Sequence, residues 1–166
     1  MVRIKTILMA LLIVAIGITA LVYFSQSDEK SVRRQFDLLS ESVSKGSNEN
    51  MVAMAQKMQR LGTLFDETCR LELAVESLSG NYTRDEIRSY AARARSRFLT
   101  VSLRFSDLTV IFAEAETAKV NLTARLTGRT SAGEYVNDPR ELECLLKKID
   151  KQWLFSHVEV IEVLRK

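Results

Sequence analysis

The chain has 166 residues, 46% hydrophobic and 27% charged, which is enough apolar material for one globular core plus one accessory segment. Its net charge of +3 includes Arg3 and Lys5 at the extreme N-terminus, so the remainder is too weakly basic for a nucleic-acid surface. One Pro and six Gly exclude a long low-complexity linker, and the sequence holds no internal repeat, phosphate-binding glycine loop, metalloprotease motif or serine nucleophile elbow.

The first element in chain order is Thr6–Phe24, "TILMALLIVAIGITALVYF", nineteen residues without a charge. As a helix rising ~1.5 Å per residue it would span about 28 Å, close to the ~30 Å hydrocarbon core of a bilayer. Arg3 and Lys5 precede it, which by the positive-inside tendency puts the N-terminus in the cytoplasm. The rival is a cleaved signal peptide with Ile18-Thr19-Ala20 as its small-residue site. Against that, the run exceeds the usual ~7–15 apolar residues and continues through Leu21, Val22, Tyr23 and Phe24. The expectation is an uncleaved anchor over residues 1–24, a linker over 25–30 ("SQSDEK"), and an extracytoplasmic domain over 31–166.

Val32, Phe36, Leu39 and Val43 then recur at helical spacing, and Gly46 ends that helix. Ser47 is placed to cap a second helix carrying Met51, Met54, Ala55, Met58 and Leu61, stopped by Gly62. A methionine stripe of this kind reads as core, with an adaptable binding surface as the alternative. Cys69, Leu71, Leu73 and Val75 alternate with Arg70, Glu72 and Ala74, a half-buried strand, and "SLSGN" reads as a turn. Thr83 with Glu86 makes a capping box for a third helix striped by Ile87, Tyr90, Ala91 and Ala94. Five arginines crowd it (Arg84, Arg88, Arg93, Arg95, Arg97), either a solvated face or a contact for anionic headgroups.

From Leu99 the period is two. Leu99, Val101, Leu103 and Phe105 share one parity; Leu108, Val110 and Phe112 share the other. That switch at Ser106-Asp107 predicts a β-bulge. Ala118, Val120, Leu122, Ala124 and Leu126 form a strand with one dry face, and "GRTSAGEYVNDP" reads as a loop. Leu142, Cys144 and Leu146 make the next strand, Ile149–Gln152 a tight connection, and the last strand follows. The layout is α+β, with helices on one face of a bent antiparallel sheet.

That last strand holds the only Trp and the only His. Simple alternation puts Trp153, Phe155, His157, Glu159 and Ile161 on one face, and Leu154, Val158 and Val160 on the other. His157 is a weak catalytic candidate as a general base, but no orienting acid or nucleophile is identifiable beside it, and a structural His is the competing reading. Tyr90, Trp153, Phe155 and His157 are the candidate pocket residues. One His and two strand-separated Cys are a poor ligand set, so no metal site is expected. Cys69 and Cys144 are a disulfide candidate, worth about 4–5 kcal/mol on the chain-entropy model if their Cα atoms come within ~7 Å. Two separate buried thiols are the alternative.

"SGNYTRDEIRSYAARARSRF" before "VSLRFSDLTVIF", followed by "AKVNLTARLTG" and "KKIDKQWLF", resembles the nuclear transport factor 2-like superfamily over roughly Val32–Val163. That group includes ketosteroid isomerase, scytalone dehydratase and polyketide-cyclase-like (SnoaL-like) proteins. The resemblance implies a conical pocket between helices and sheet, and dimers in many members. Isomerase chemistry does not carry over. It needs a Tyr and a neutral Asp as oxyanion donors, and this chain offers Phe36 and the run Leu142, Cys144, Leu146 at the corresponding places.

The resulting expectation is a single-pass inner-membrane protein of the bacterial envelope with a periplasmic nuclear transport factor 2-like domain of about three helices. Its role is non-catalytic binding or scaffolding of an envelope protein, a second copy, or an apolar ligand or lipid. A small-molecule hydrolase or isomerase, or a lipid-binding protein, is the alternative. No cofactor and no nucleic acid are expected.

Overall fold

The computed structural model describes the backbone of residues 2–73 and 79–163, and the side chains among these other than 2–11, 15–25 and 162–163. The chain divides into two units, residues 1–31 and 32–166. Helix α1 (Val2–Val43) makes up the first and opens the second, so Ser25–Lys30, read as a linker, is helical. Among the described residues no helix is long and apolar enough to cross a membrane. Most of the uncharged run Thr6–Phe24 has its side chains outside the described residues; Leu12, Ile13 and Val14 are described, and all three are exposed.

The second unit continues with α2 (Met51–Thr63), β1 (Phe65–Glu72), β2 (Ser79–Thr83), α3 (Arg84–Ser96), β3 (Phe98–Glu114), β4 (Thr117–Thr130), β5 (Tyr135–Ile149) and β6 (Gln152–Val163). The strands form one sheet in the order β2-β1-β6-β5-β4-β3. All neighbours are antiparallel except β1 and β6, which pair parallel. This corrects the all-antiparallel expectation. Parallel neighbours need a long crossover, and the whole β2-to-β5 segment supplies one.

Local chemistry accounts for most of the boundaries. Thr83 and Glu86 form the capping box that opens α3. The α2 cap is Asn50 rather than Ser47: its Oδ1 accepts from the Ala53 N–H at 2.8 Å. The β3 bulge falls where parity switches, with a register shift between Ser106 and Thr109 and Asp107 at φ 57°. Asp150 and Lys151, at φ 49° and 65°, make the two-residue turn between β5 and β6, whose twist matches the strands it joins.

Two stretches expected as loops are largely strand. "SLSGN" contributes Ser79–Asn81 to β2, and "GRTSAGEYVNDP" is mostly strand, ending β4 and opening β5. Pro139 sits inside β5 opposite Arg125 of β4. Among the described residues the pairing of β5 with β6 runs from Arg140, so no described ladder bond on that side needs an N–H from Pro139.

The helices cover one face of the sheet. Val32 and Phe36 of α1, Met58 and Leu61 of α2, and Ile87 of α3 are buried against Phe65, Cys69, Leu71, Val120, Leu122, Cys144, Leu146, Trp153 and Phe155. Phe36 is central, edge-on to Phe155 (5.0 Å) and Phe105 (5.4 Å), while Phe65 lies 5.4 Å from Phe155. The end of α1 is laced to β3: Lys45 and Val101 exchange backbone hydrogen bonds of 2.7 and 3.0 Å, and the Ser40 hydroxyl donates to the Leu103 carbonyl at 2.6 Å. Gly128 of β4 is required for close approach to β3, since a Cβ there would stand 2.5 Å from the Thr100 carbonyl oxygen.

Candidate functional site

The last strand does not alternate as simple period-two reading predicts. Leu146 pairs with Phe155 and Leu145 with His157, so Ser156 is an extra residue on β6. Its hydroxyl donates to the Leu145 carbonyl at 3.1 Å. The bulge resets parity. Trp153 and Phe155 lie in the helix-covered core, and Val158, opposite Cys144, packs against that core too. His157, opposite Leu145, is turned to the other face of the sheet. The expectation that Trp153, Phe155 and His157 share a face is therefore corrected.

Tyr90 does not join them. It lies on α3, half-exposed, edge-on to Tyr82 at 5.5 Å and beneath the Arg93 guanidinium at 4.6 Å. The four candidate pocket residues thus fall in three places: two in the core, one on the outer sheet face and one on a helix surface.

The candidate disulfide is not formed. Cys69 on β1 and Cys144 on β5 are free, buried thiols with β6 between their strands. Two strand spacings of ~4.8 Å put the backbones about 10 Å apart, beyond disulfide reach. Burial pushes the Cys69 thiol up to about 12, with Asp66 adding to it. Cys144 is raised as well, first by burial and then by Cys69 and Glu143. Both stay protonated and poorly nucleophilic.

Among the described residues the buried polar residues are Ser42 and Arg95, and the Glu49 side chain is buried as well, at 6% exposure. Arg95, 4% exposed, departs from the reading of α3 as a solvated or lipid-facing arginine row. Its Nε donates to the Val43 carbonyl at 2.8 Å and its Nη2 to Ser44 and to both Glu49 oxygens, tying α3 to the end of α1. Lys57 completes the cluster, 2.8 Å from Glu49. Burial alone would push the Glu49 carboxyl up; the Lys57 hydrogen bond and the Arg95 charge outweigh it and hold it below its ordinary value. Arg84 is engaged too, donating to the Phe65 carbonyl at 2.7 Å.

The methionine stripe of α2 is only partly core. Met58 and Leu61 are buried, whereas Met51, Val52 and Met54 are exposed, Met51 at 83%. Beside them a groove of about 350 Å³ runs between α2 and α3, lined by Met54, Ala55, Met58, Gln59, Arg88 and Ala92.

On the outer face, β1 and β6 set Arg70 beside His157 and Glu72 beside Glu159. His157 Nε2 stands 3.7 Å from a Glu159 oxygen, and Glu72, His157 and Glu159 each offer a ligand atom within 4.8 Å of the others. The expectation of no metal site rests on His157 and the two cysteines, and the structure instead groups His157 with two carboxylates. His157-x-Glu159 on one strand was a legible pairing; Glu72 was not, because its place depends on the parallel pairing.

No protein-family model matches this sequence, and no curated protein does. Solved structures do match. LinA superposes with a TM-score of 0.71 at 11% identity, over 86% of this chain and 90% of its own. A scytalone dehydratase-like protein of Novosphingobium aromaticivorans gives 0.68 at 17% identity, over 87% and 89%. A calcium/calmodulin-dependent protein kinase II association-domain protein of Xanthomonas campestris gives 0.60 at 15%, over 78% and 83%. At these identities the likeness establishes the fold: α+β, a bent sheet under helices, of the nuclear transport factor 2-like kind.

Proposed function

We propose that this protein is a non-catalytic binding domain, held at the bacterial inner membrane by its N-terminal segment and facing the periplasm, where it engages a partner protein. One observation carries the reading: the chain's own apolar side chains occupy the inside of the cone, while α2 leaves apolar side chains outside. Phe36, Phe65, Phe155 and Trp153 pack between the helices and the sheet, where the family resemblance implies a pocket. Met51, Val52 and Met54 stand exposed beside the α2–α3 groove. Methionine suits such a surface because its flexible, polarizable side chain adapts to a partner.

The anchor rests on the uncharged run Thr6–Phe24 and on Arg3 and Lys5 before it. Carbonate washing of membranes tests it: the full chain stays in the pellet, and a chain lacking residues 2–24 is released. Release of the full chain would remove the anchor from the account. Photo-crosslinking from position 54 tests the binding face. It should trap a protein that a crosslinker at Asp37 on α1 does not.

An enzymatic role is the second reading, favoured by the dehydratase-like and LinA neighbours. It requires a base, and His157 is the candidate. A His157→Ala chain that restores full function to cells lacking the protein speaks for the binding role. Loss of function in a normally folded His157→Ala protein, with partner crosslinking intact, would favour the enzyme.

A further inference from the structure

We propose that Glu72, His157 and Glu159 form a binding site for a divalent first-row transition cation, of which Zn²⁺ is the best match. Three observations converge on it. The donor set is one imidazole and two carboxylates, drawn from adjacent strands in parallel register, with one ligand atom of each within 4.8 Å of the other two. Small movements of side chains about a quarter to two-fifths exposed would bring these atoms to metal-bond distances of ~2.0–2.2 Å.

The second observation is independent of the cluster's composition. His157 Nε2 is buried from solvent and has no hydrogen-bond partner. The Glu159 carboxylate beside it, at 3.7 Å, is beyond hydrogen-bond reach. A buried nitrogen left without a partner is costly, and a cation set between it and the carboxylates would satisfy it.

Third, the surroundings are those of a built site. Arg70 Nε donates to one Glu72 oxygen at 2.5 Å, which fixes that carboxylate while its other oxygen keeps lone pairs for a metal. Glu143 lies opposite Glu159 across the β5–β6 ladder and is held by its own ion pair to Lys119 at 2.7 Å. Imidazole among the donors selects Zn²⁺ and its neighbours over Mg²⁺ or Ca²⁺, which prefer all-oxygen shells. The partial exposure of the cluster leaves room for water to complete a tetrahedron.

The chain's single His makes the test direct, because its ring signals are unique in a histidine-labelled NMR spectrum. Tag-free full-length protein in mild detergent micelles would be titrated with Zn²⁺, then with Mg²⁺. The expected result is a saturable shift of the His157 ring signals at one equivalent of Zn²⁺ and none with Mg²⁺. Glu72→Gln and Glu159→Gln should each weaken Zn²⁺ binding roughly tenfold or more, with the remaining spectrum unchanged. No response at stoichiometric Zn²⁺ would overturn the proposal. So would an equal response to Mg²⁺, or a Zn²⁺ affinity unchanged in both Gln variants, which would reduce the event to a lone imidazole.

Discussion

The two faces of the sheet at β6 are built from one short stretch of chain and are chemically opposite. Toward the helices, Trp153, Phe155 and Val158 meet Phe36, Phe65 and Phe112 in an aromatic core. Away from them, His157 and Glu159 meet Arg70, Glu72 and Leu145 in a half-exposed polar row. A single inserted residue, Ser156, separates the two outcomes. Burial on the first face stabilises the fold; the second brings ionisable groups close together.

The largest way to break this contrast is to empty the core face. Phe36→Ala should destabilise the domain by about 3–5 kcal/mol, read as a fall in the urea midpoint, because it removes the ring between Phe105 and Phe155. His157→Ala on the outer face should cost no stability, because it removes a buried nitrogen that has no hydrogen-bond partner. Equal losses at the two positions would mean that the Ser156 bulge is misplaced.

Arg95→Ala should cost about 3 kcal/mol, since it leaves the buried Glu49 carboxylate with Lys57 alone. Glu49 also carries a pH dependence. Its carboxyl lies below the ordinary value in the folded state, so its contribution is fully present above the unfolded value near 4.5 and is lost as pH falls through the folded value. The stability gap between wild type and Glu49→Gln should therefore be constant near neutrality and narrow below about pH 4.5.

A smaller loss, about 1–3 kcal/mol, is expected for Gly128→Ala, whose methyl would press on the Thr100 carbonyl at the β3–β4 contact. Thr83→Ala removes the α3 cap and should cost about 1 kcal/mol by thermal or urea unfolding. The thiols sharpen the comparison without any substitution. Cys69 and Cys144 both face the core, so neither should react with an aromatic disulfide reagent at neutral pH until the protein unfolds, when both should.

What was legible in the sequence was local. The capping box at Thr83, the bulge at Asp107 and the turn at Asp150-Lys151 each follow from residues within a few positions of one another, and the fold resemblance followed from their order. What was hidden depended on distant neighbours. Both parities of β6 are apolar enough that alternation cannot reveal the Ser156 bulge, so it puts His157 with Trp153 and Phe155, whereas the bulge turns it to the outer face. Strand β2 is short and lies in a glycine-containing stretch, and its pairing with β1 supplies the order its own sequence lacks. The parallel pairing of β1 with β6 joins residues 87 to 90 positions apart, and with it Glu72 enters the polar row. Met51 and Met54 followed a helical stripe, but α2 buries only the narrow part of it near Met58 and Leu61.

The proposal turns on Phe36, Phe65, Trp153 and Phe155 filling the space between helices and sheet, with recognition outside it. Trp153, the only tryptophan, is fully buried in that core and reports on it directly. The decisive measurement is its fluorescence in the full-length protein during titration with steroid-sized and fatty-acid-sized apolar ligands. The account predicts blue-shifted emission, poorly quenched by acrylamide and unmoved by any of them. A saturable change in emission, with protection from acrylamide at the same concentrations, would show an open pocket and contradict it.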